Sequence, residues 1–99
     1  MSGYLIANYT VTDPEKYAKY PPAVGPTLAQ YGGKPIIVSS DSKVLEGNPK
    51  ASTVAIEFES VEVVQRWYDS SEYSKVKHLR TEASEGWVLI APEFVRPQS

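Results

Sequence analysis

The stretch from Phe58 to Tyr73 constrains this chain more than any other. It closes a strand, caps a helix, breaks that helix and starts another. Ser60 suits a helix N-cap, since its hydroxyl can accept an orphan amide of the first turn. Glu62 then lies near the positive end of the helix dipole. Val61, Val64 and Tyr68, or Val63 and Trp67, make the apolar face. Asp69-Ser70-Ser71 ends this helix and begins a second, with Glu72 near its start. There Tyr73, Val76, Leu79, Arg80 and Ala83 keep helical spacing to Ser84. Trp67, Tyr68 and Tyr73 thus flank a break, which locks a kinked helix pair onto a sheet.

The rest of the chain supplies that sheet. Gly3 to Thr12 alternates as a strand, with Tyr4, Ile6, Asn8 and Thr10 on one face and Leu5, Ala7, Tyr9 and Val11 on the other. Both faces carry apolar residues, so both are expected to be covered. Asp13 caps a helix and Pro14 fits its first position. Tyr17, Tyr20, Val24, Leu28 and Tyr31 form its apolar stripe. Pro21-Pro22 predicts a kink or break there, with Tyr20 held away from helical angles. Gly32-Gly33 ends the helix. Lys34 to Ser40 is a second strand, and Pro35 should sit at its start or put it on an edge. Ala51 to Glu59 is a third, and a long polar connection joins the two. Gly86 to Val95 is the last strand, with Pro92 near its end.

The order is strand, helix, strand, strand, helix, strand. The fold class is α+β: a ferredoxin-like βαββαβ domain over 1–99, with a four-stranded antiparallel sheet and helices on one face. The open face must be solvated, bound to ligand or buried in a dimer. Its apolar residues make a homodimer the economical expectation, and roughly 800 Å² buried per subunit suffices.

Composition narrows the function classes. A net charge of −2 with no basic run argues against nucleic acid. No apolar run approaches the roughly 18 residues that span a bilayer. The opening residues do not read as a signal peptide. The absence of cysteine removes thiolate chemistry and fits a reducing cytoplasm. Without a His-x-His or His-x-x-x-His spacing, no divalent metal site is expected.

Phe58-x-Ser60 followed by Trp67-Tyr68-x-Ser70-x-x-Tyr73, with Arg80 downstream, resembles the small bacterial family called domain of unknown function thirteen-thirty. So do Tyr4-x-Ile6-x-x-Tyr9-x-Val11-Thr12-Asp13-Pro14, Tyr31-Gly32-Gly33-Lys34 and Leu45-Glu46-Gly47. The resemblance spans nearly the whole chain. It implies membership of the dimeric α/β-barrel superfamily, in which ferredoxin-like subunits pack sheet to sheet and hold a cavity between sheet and helices. That superfamily includes cofactor-free monooxygenases, lactone isomerases, haem-dependent enzymes and proteins without known activity. Lys34 stands where the family usually has arginine, which removes a flat bidentate fork from that position. Pro21-Pro22 and Pro35 also depart from the family's pattern.

The candidate chemistry is sparse. Arg66, Arg80 and Glu46 are the polar residues of interest. A buried arginine can anchor an acidic or carbonyl-bearing ligand by charge-assisted bonds. The alternative is a structural salt bridge from helix to hairpin. His78, the single histidine, is a candidate base or haem ligand, although a lone histidine without a partner motif is more often a surface helical residue. The catalytic candidates are therefore His78, Arg80 and Glu46. Tyr9, Tyr17, Trp67, Tyr73 and Arg80 are the candidate ligand-binding residues, with Tyr20, Tyr68 and Trp87 as further wall aromatics. No cofactor is expected. The functions that fit are a cofactor-free oxygenase- or isomerase-like enzyme on a small apolar or aromatic substrate, a small-ligand binder, or a dimerisation module.

Overall fold

The computed structural model describes residues 1–97. Its elements run β1 (Gly3–Val11), α1 (Pro14–Tyr17), α2 (Tyr20–Tyr31), β2 (Lys34–Ser39), β3 (Ser52–Phe58), α3 (Val61–Tyr68), α4 (Ser71–Ser74), α5 (His78–Thr81) and β4 (Ser84–Pro92). The sheet is antiparallel throughout, in the order β2-β3-β1-β4. This is the ferredoxin-like arrangement that the element order predicts. Pro35 lies on edge strand β2, beside a register shift between Pro35 and Ile37. Pro92 closes the other edge strand, so β4 stops there rather than at Val95.

Strand alternation separates the two sheet faces. Leu5 and Ala7 of β1 lie in register with Ile56 and Val54 of β3 and with Ile90 and Val88 of β4. These side chains, with Phe58, pack under the helices. On the other face Ile6 lies between Ala55 and Leu89, and Asn8 is opposite Trp87. Asn8 fastens the end of the long 40–51 connection. Its Nδ2 donates to the carbonyls of Lys50 and Ser52, both at 3.0 Å, and its Oδ1 accepts from the Lys50 amide at 2.8 Å.

Two helix breaks differ from the expectation. Asp13 caps α1, accepting from the Lys16 amide. The break then falls at Ala18–Lys19, and Tyr20 is already helical. Pro21 and Pro22 occupy the first turn of α2, where an absent N–H leaves no carbonyl unsatisfied. The prolines start this helix instead of kinking it. Gly32 at φ 71° ends it, and the Gly33 amide donates to the Leu28 carbonyl at 2.8 Å. The segment after Ser70 is two short turns rather than one helix to Ser84. The Val76, Leu79 and Arg80 amides bond three residues back, to Tyr73, Val76 and Lys77, and tighten the backbone between α4 and α5.

The run from Phe58 to Tyr73 forms the centre of the core. Ser60 accepts from the Val63 amide at 3.2 Å, and Ser70 accepts from the Tyr73 amide at 3.1 Å while donating to the Trp67 carbonyl. Trp67 is fully buried between Phe58 and Tyr73, with ring centroids 5.5 and 4.0 Å away. Its Nε1–H donates to Thr27 Oγ1 at 3.0 Å, so the indole also ties α3 to α2. Gly3 lets β1 pass under this helix start, since a Cβ there would meet the Val61 nitrogen at 2.4 Å.

Candidate functional site

Between the sheet and the helices lies a cavity of about 210 Å³, half open to solvent past the exposed Pro21, Gly25, Pro35 and Val38. Leu5, Val54, Ile56 and Val88 line it from the sheet, and Val24 and Leu28 from α2. Its polar groups are Tyr9, Tyr17, Tyr20 and Arg80, and each is placed by a local feature of the chain. Tyr9 follows Leu5 and Ala7 along the helix-facing side of β1. The break at Ala18–Lys19 brings Tyr17 and Tyr20 from successive helices to a ring separation of 5.7 Å. Tyr9 and Tyr17 share a hydroxyl hydrogen bond of 2.5 Å. Tyr20 and Tyr73 share another of 2.8 Å.

Arg80 is only 9% exposed. Its Nε donates to Tyr73 Oη at 3.3 Å, and Tyr20 also stands against the guanidinium. Burial works against its charge, but Tyr73 and Tyr20 outweigh that and hold its pKa above the ordinary arginine value. Burial, reinforced by Tyr17, raises the pKa of Tyr9. Burial, reinforced by Tyr73, raises that of Tyr20 more strongly. At neutral pH Arg80 is therefore a fixed cation beside the protonated phenols of Tyr9 and Tyr20. Its chemistry is that of a hydrogen-bond donor toward negative charge, not of a base.

Of the sequence candidates, Tyr9, Tyr17 and Arg80 line the cavity. Tyr73 is 1% exposed and lies behind them, where it orients Arg80. Trp67 is core, held by Thr27. His78 and Arg66 lie exposed on their helices. The alternative salt bridge from helix to hairpin, between Arg66 or Arg80 and Glu46, is not formed. Glu46 sits in the 40–51 connection, exposed throughout, while Tyr73 turns Arg80 inward. The only ion pair among the described residues joins Lys16 to Glu82. Trp87 belongs to the opposite face of the sheet, across from Asn8. The apolar walls were readable as the strand alternation and the α2 stripe, but only the strand order shows that they line one space. Among the described residues no group of three or more His, Cys, Asp or Glu could hold a metal ion. No helix among them is long and apolar enough to cross a membrane.

The order and pairing of its strands make the chain a ferredoxin-like α+β domain. The family model described as Domain of unknown function (DUF1330) matches residues 2–94, and the chain belongs to that family. A crystal structure of a protein of unknown function from Rhodopseudomonas palustris is similar, with a TM-score of 0.75 and 14% identity over 96% of this chain and 84% of that one. Its methylated form gives 0.75 and 17% over 98% and 84%. A conserved protein from Methanosarcina mazei Go1 gives 0.60 and 14% over 95% and 94%. At these identities the likeness is one of fold. Comparison with curated proteins gives no match.

Proposed function

We propose that this protein is a cytoplasmic homodimer that binds a small, largely apolar molecule in the cavity of each subunit. The observation that carries this is the half-open cavity of about 210 Å³, lined almost wholly by apolar side chains. An apolar cavity of about 150 Å³ already admits benzene. The space is sized for one ring, and its walls exist before any ligand arrives.

The dimer is supported by the other sheet face. Ile37, Trp87 and Leu89 are 48%, 49% and 45% exposed there, around the buried Ala55. The 40–51 connection carries Val44 and Leu45 at 53% and 83% exposure. The radius of gyration is 14.2 Å, against about 13 Å for a compact chain of this length. A second copy packed sheet to sheet would cover this face and give the connection something to rest on. Sedimentation at micromolar concentration tests it: a species of twice 11.0 kDa is expected, and Leu89→Lys should shift it to the monomer. A monomer for the unaltered chain overturns the dimer.

Calorimetry with benzyl alcohol and phenol tests the binding. Saturable binding that disappears when Ala7→Leu fills the cavity supports it, and no binding by either probe overturns it. A cofactor-free isomerase or oxygenase is a second reading, favoured by the donor cluster, which could hold an enolate or other oxyanion. The cavity lining offers phenols and a guanidinium but no carboxylate or imidazole to take a proton. Binding is for that reason placed first. Turnover of lactones or quinones without added cofactor would reverse the order. No cofactor, metal or nucleic acid enters either reading.

A further inference from the structure

The guanidinium of Arg80 is the one feature of the cavity that a purely apolar ligand would leave unused. It presents five N–H donors. The protein meets them with two phenol oxygens, those of Tyr73 and Tyr20, which are already bonded to each other at 2.8 Å. Among the described residues no carboxylate pairs with it. Yet no fully buried side-chain nitrogen or oxygen among them lacks a partner. The remaining guanidinium donors therefore face open space, and the open space that Arg80 borders is the cavity. A buried charge without a counter-ion is costly, and that cost is relieved when an anion arrives.

The phenols add to this. In a hydroxyl pair one hydrogen is used and one is left. The Tyr9–Tyr17 pair, at 2.5 Å, keeps one O–H to give, and both residues line the cavity. Arginine and phenol donors thus converge on a space whose other walls are aliphatic. A phosphate dianion would bring more charge than one arginine balances. A planar monoanion on a small apolar body fits the donor set and the volume together.

We propose that the ligand of this cavity is a small monocarboxylic acid, bound as its carboxylate by Arg80 with help from the cavity tyrosines, its ring or short chain lying against Leu28, Ile56 and Val88. The proposal deepens the cavity-binding role above and stands only if the cavity takes a ligand.

Benzoate and its near-isosteric neutral partner benzamide separate the two ideas by calorimetry at neutral pH. Benzoate is expected to bind the unaltered protein at least tenfold more tightly than benzamide. Arg80→Met should abolish that preference while benzamide affinity stays within about threefold. Equal affinities for acid and amide on the unaltered protein overturn the carboxylate proposal and leave the cavity role standing. A preference that survives Arg80→Met overturns the assignment to Arg80. If neither probe binds, and benzyl alcohol and phenol also fail, both proposals fall. Should Arg80→Met not fold, the acid–amide comparison on the unaltered protein still decides, with Tyr17→Phe as the second variant. That change should weaken benzoate and spare benzamide.

Discussion

Replacing Tyr73 by phenylalanine removes one oxygen from a site where three groups meet. Tyr73 Oη pairs with the Tyr20 hydroxyl at 2.8 Å and accepts from Arg80 Nε at 3.3 Å. The ring itself, 4.0 Å from the Trp67 centroid, is retained, so packing changes little. The cost is therefore that of two buried hydrogen bonds. The neutral one is worth about 1 kcal/mol, and the one from a charged donor about 1.5–3 kcal/mol, long geometry favouring the lower end. A total loss of about 2–3 kcal/mol follows. For a domain of this size that is a fall in melting temperature of roughly 10–20 °C. Urea unfolding followed by tryptophan fluorescence measures it, with Trp67 buried against the mutated ring. The decisive step is a double-mutant cycle with Arg80→Met. If Tyr73 acts by holding the guanidinium, the second mutation should remove part of the cost of the first, with a coupling of about 1 kcal/mol or more. A Tyr73→Phe protein within about 0.5 kcal/mol of the original, or strict additivity with Arg80→Met, refutes the claim that Tyr73 orients Arg80.

Asn8→Ala should release the end of the 40–51 connection, costing about 2 kcal/mol because the Lys50 amide and two carbonyls lose their partner; faster amide exchange at Lys50 is the check. Ser60→Ala and Ser70→Ala should each cost about 1 kcal/mol in urea unfolding. Stability should be flat through neutral pH and fall above about pH 10, where free tyrosine ionises. The sign follows from Tyr9 and Tyr20, whose pKa values are raised by burial, so the unfolded chain loses their protons first. Each adds a slope of up to about 1.4 kcal/mol per pH unit, and phenolate absorbance from these residues should appear with unfolding and not before it.

The fold was legible because local signals agreed with one another. Ser60 and Ser70 cap as their positions require, Pro35 and Pro92 fall on edge strands, and the alternation in β1 and β3 survives into the register. What failed locally failed for one reason. A proline pair and a helical spacing are each compatible with two backbones, and packing chooses between them. Pro21-Pro22 can kink a helix or begin one. Here Tyr17 and Tyr20 both turn toward the same cavity, and that places the break before the prolines. The spacing from Tyr73 to Ala83 is helical on average, but three-residue hydrogen bonds divide it, and the Arg80 side chain still reaches back to Tyr73.

The site was only half legible, and the missing half lies in the pairing of charge. Sequence marks Arg80 as a residue on an apolar stripe and Glu46 as a possible partner, since a buried arginine is expected to find a carboxylate. Partner choice depends on the path of the 40–51 connection, which has no periodicity to read. The structure takes Glu46 away into an exposed connection and gives Arg80 two phenols instead. Phenols accept a hydrogen bond without cancelling a charge. An arginine so held keeps its field directed into the cavity, where a salt-bridged one would have spent it on its partner. The same substitution explains why the tyrosines outnumber other aromatics around this space: each supplies apolar wall and a donor at its rim. On the carboxylate proposal, a cavity lined this way selects by charge as well as by size, which a lining of aliphatic groups alone would not do.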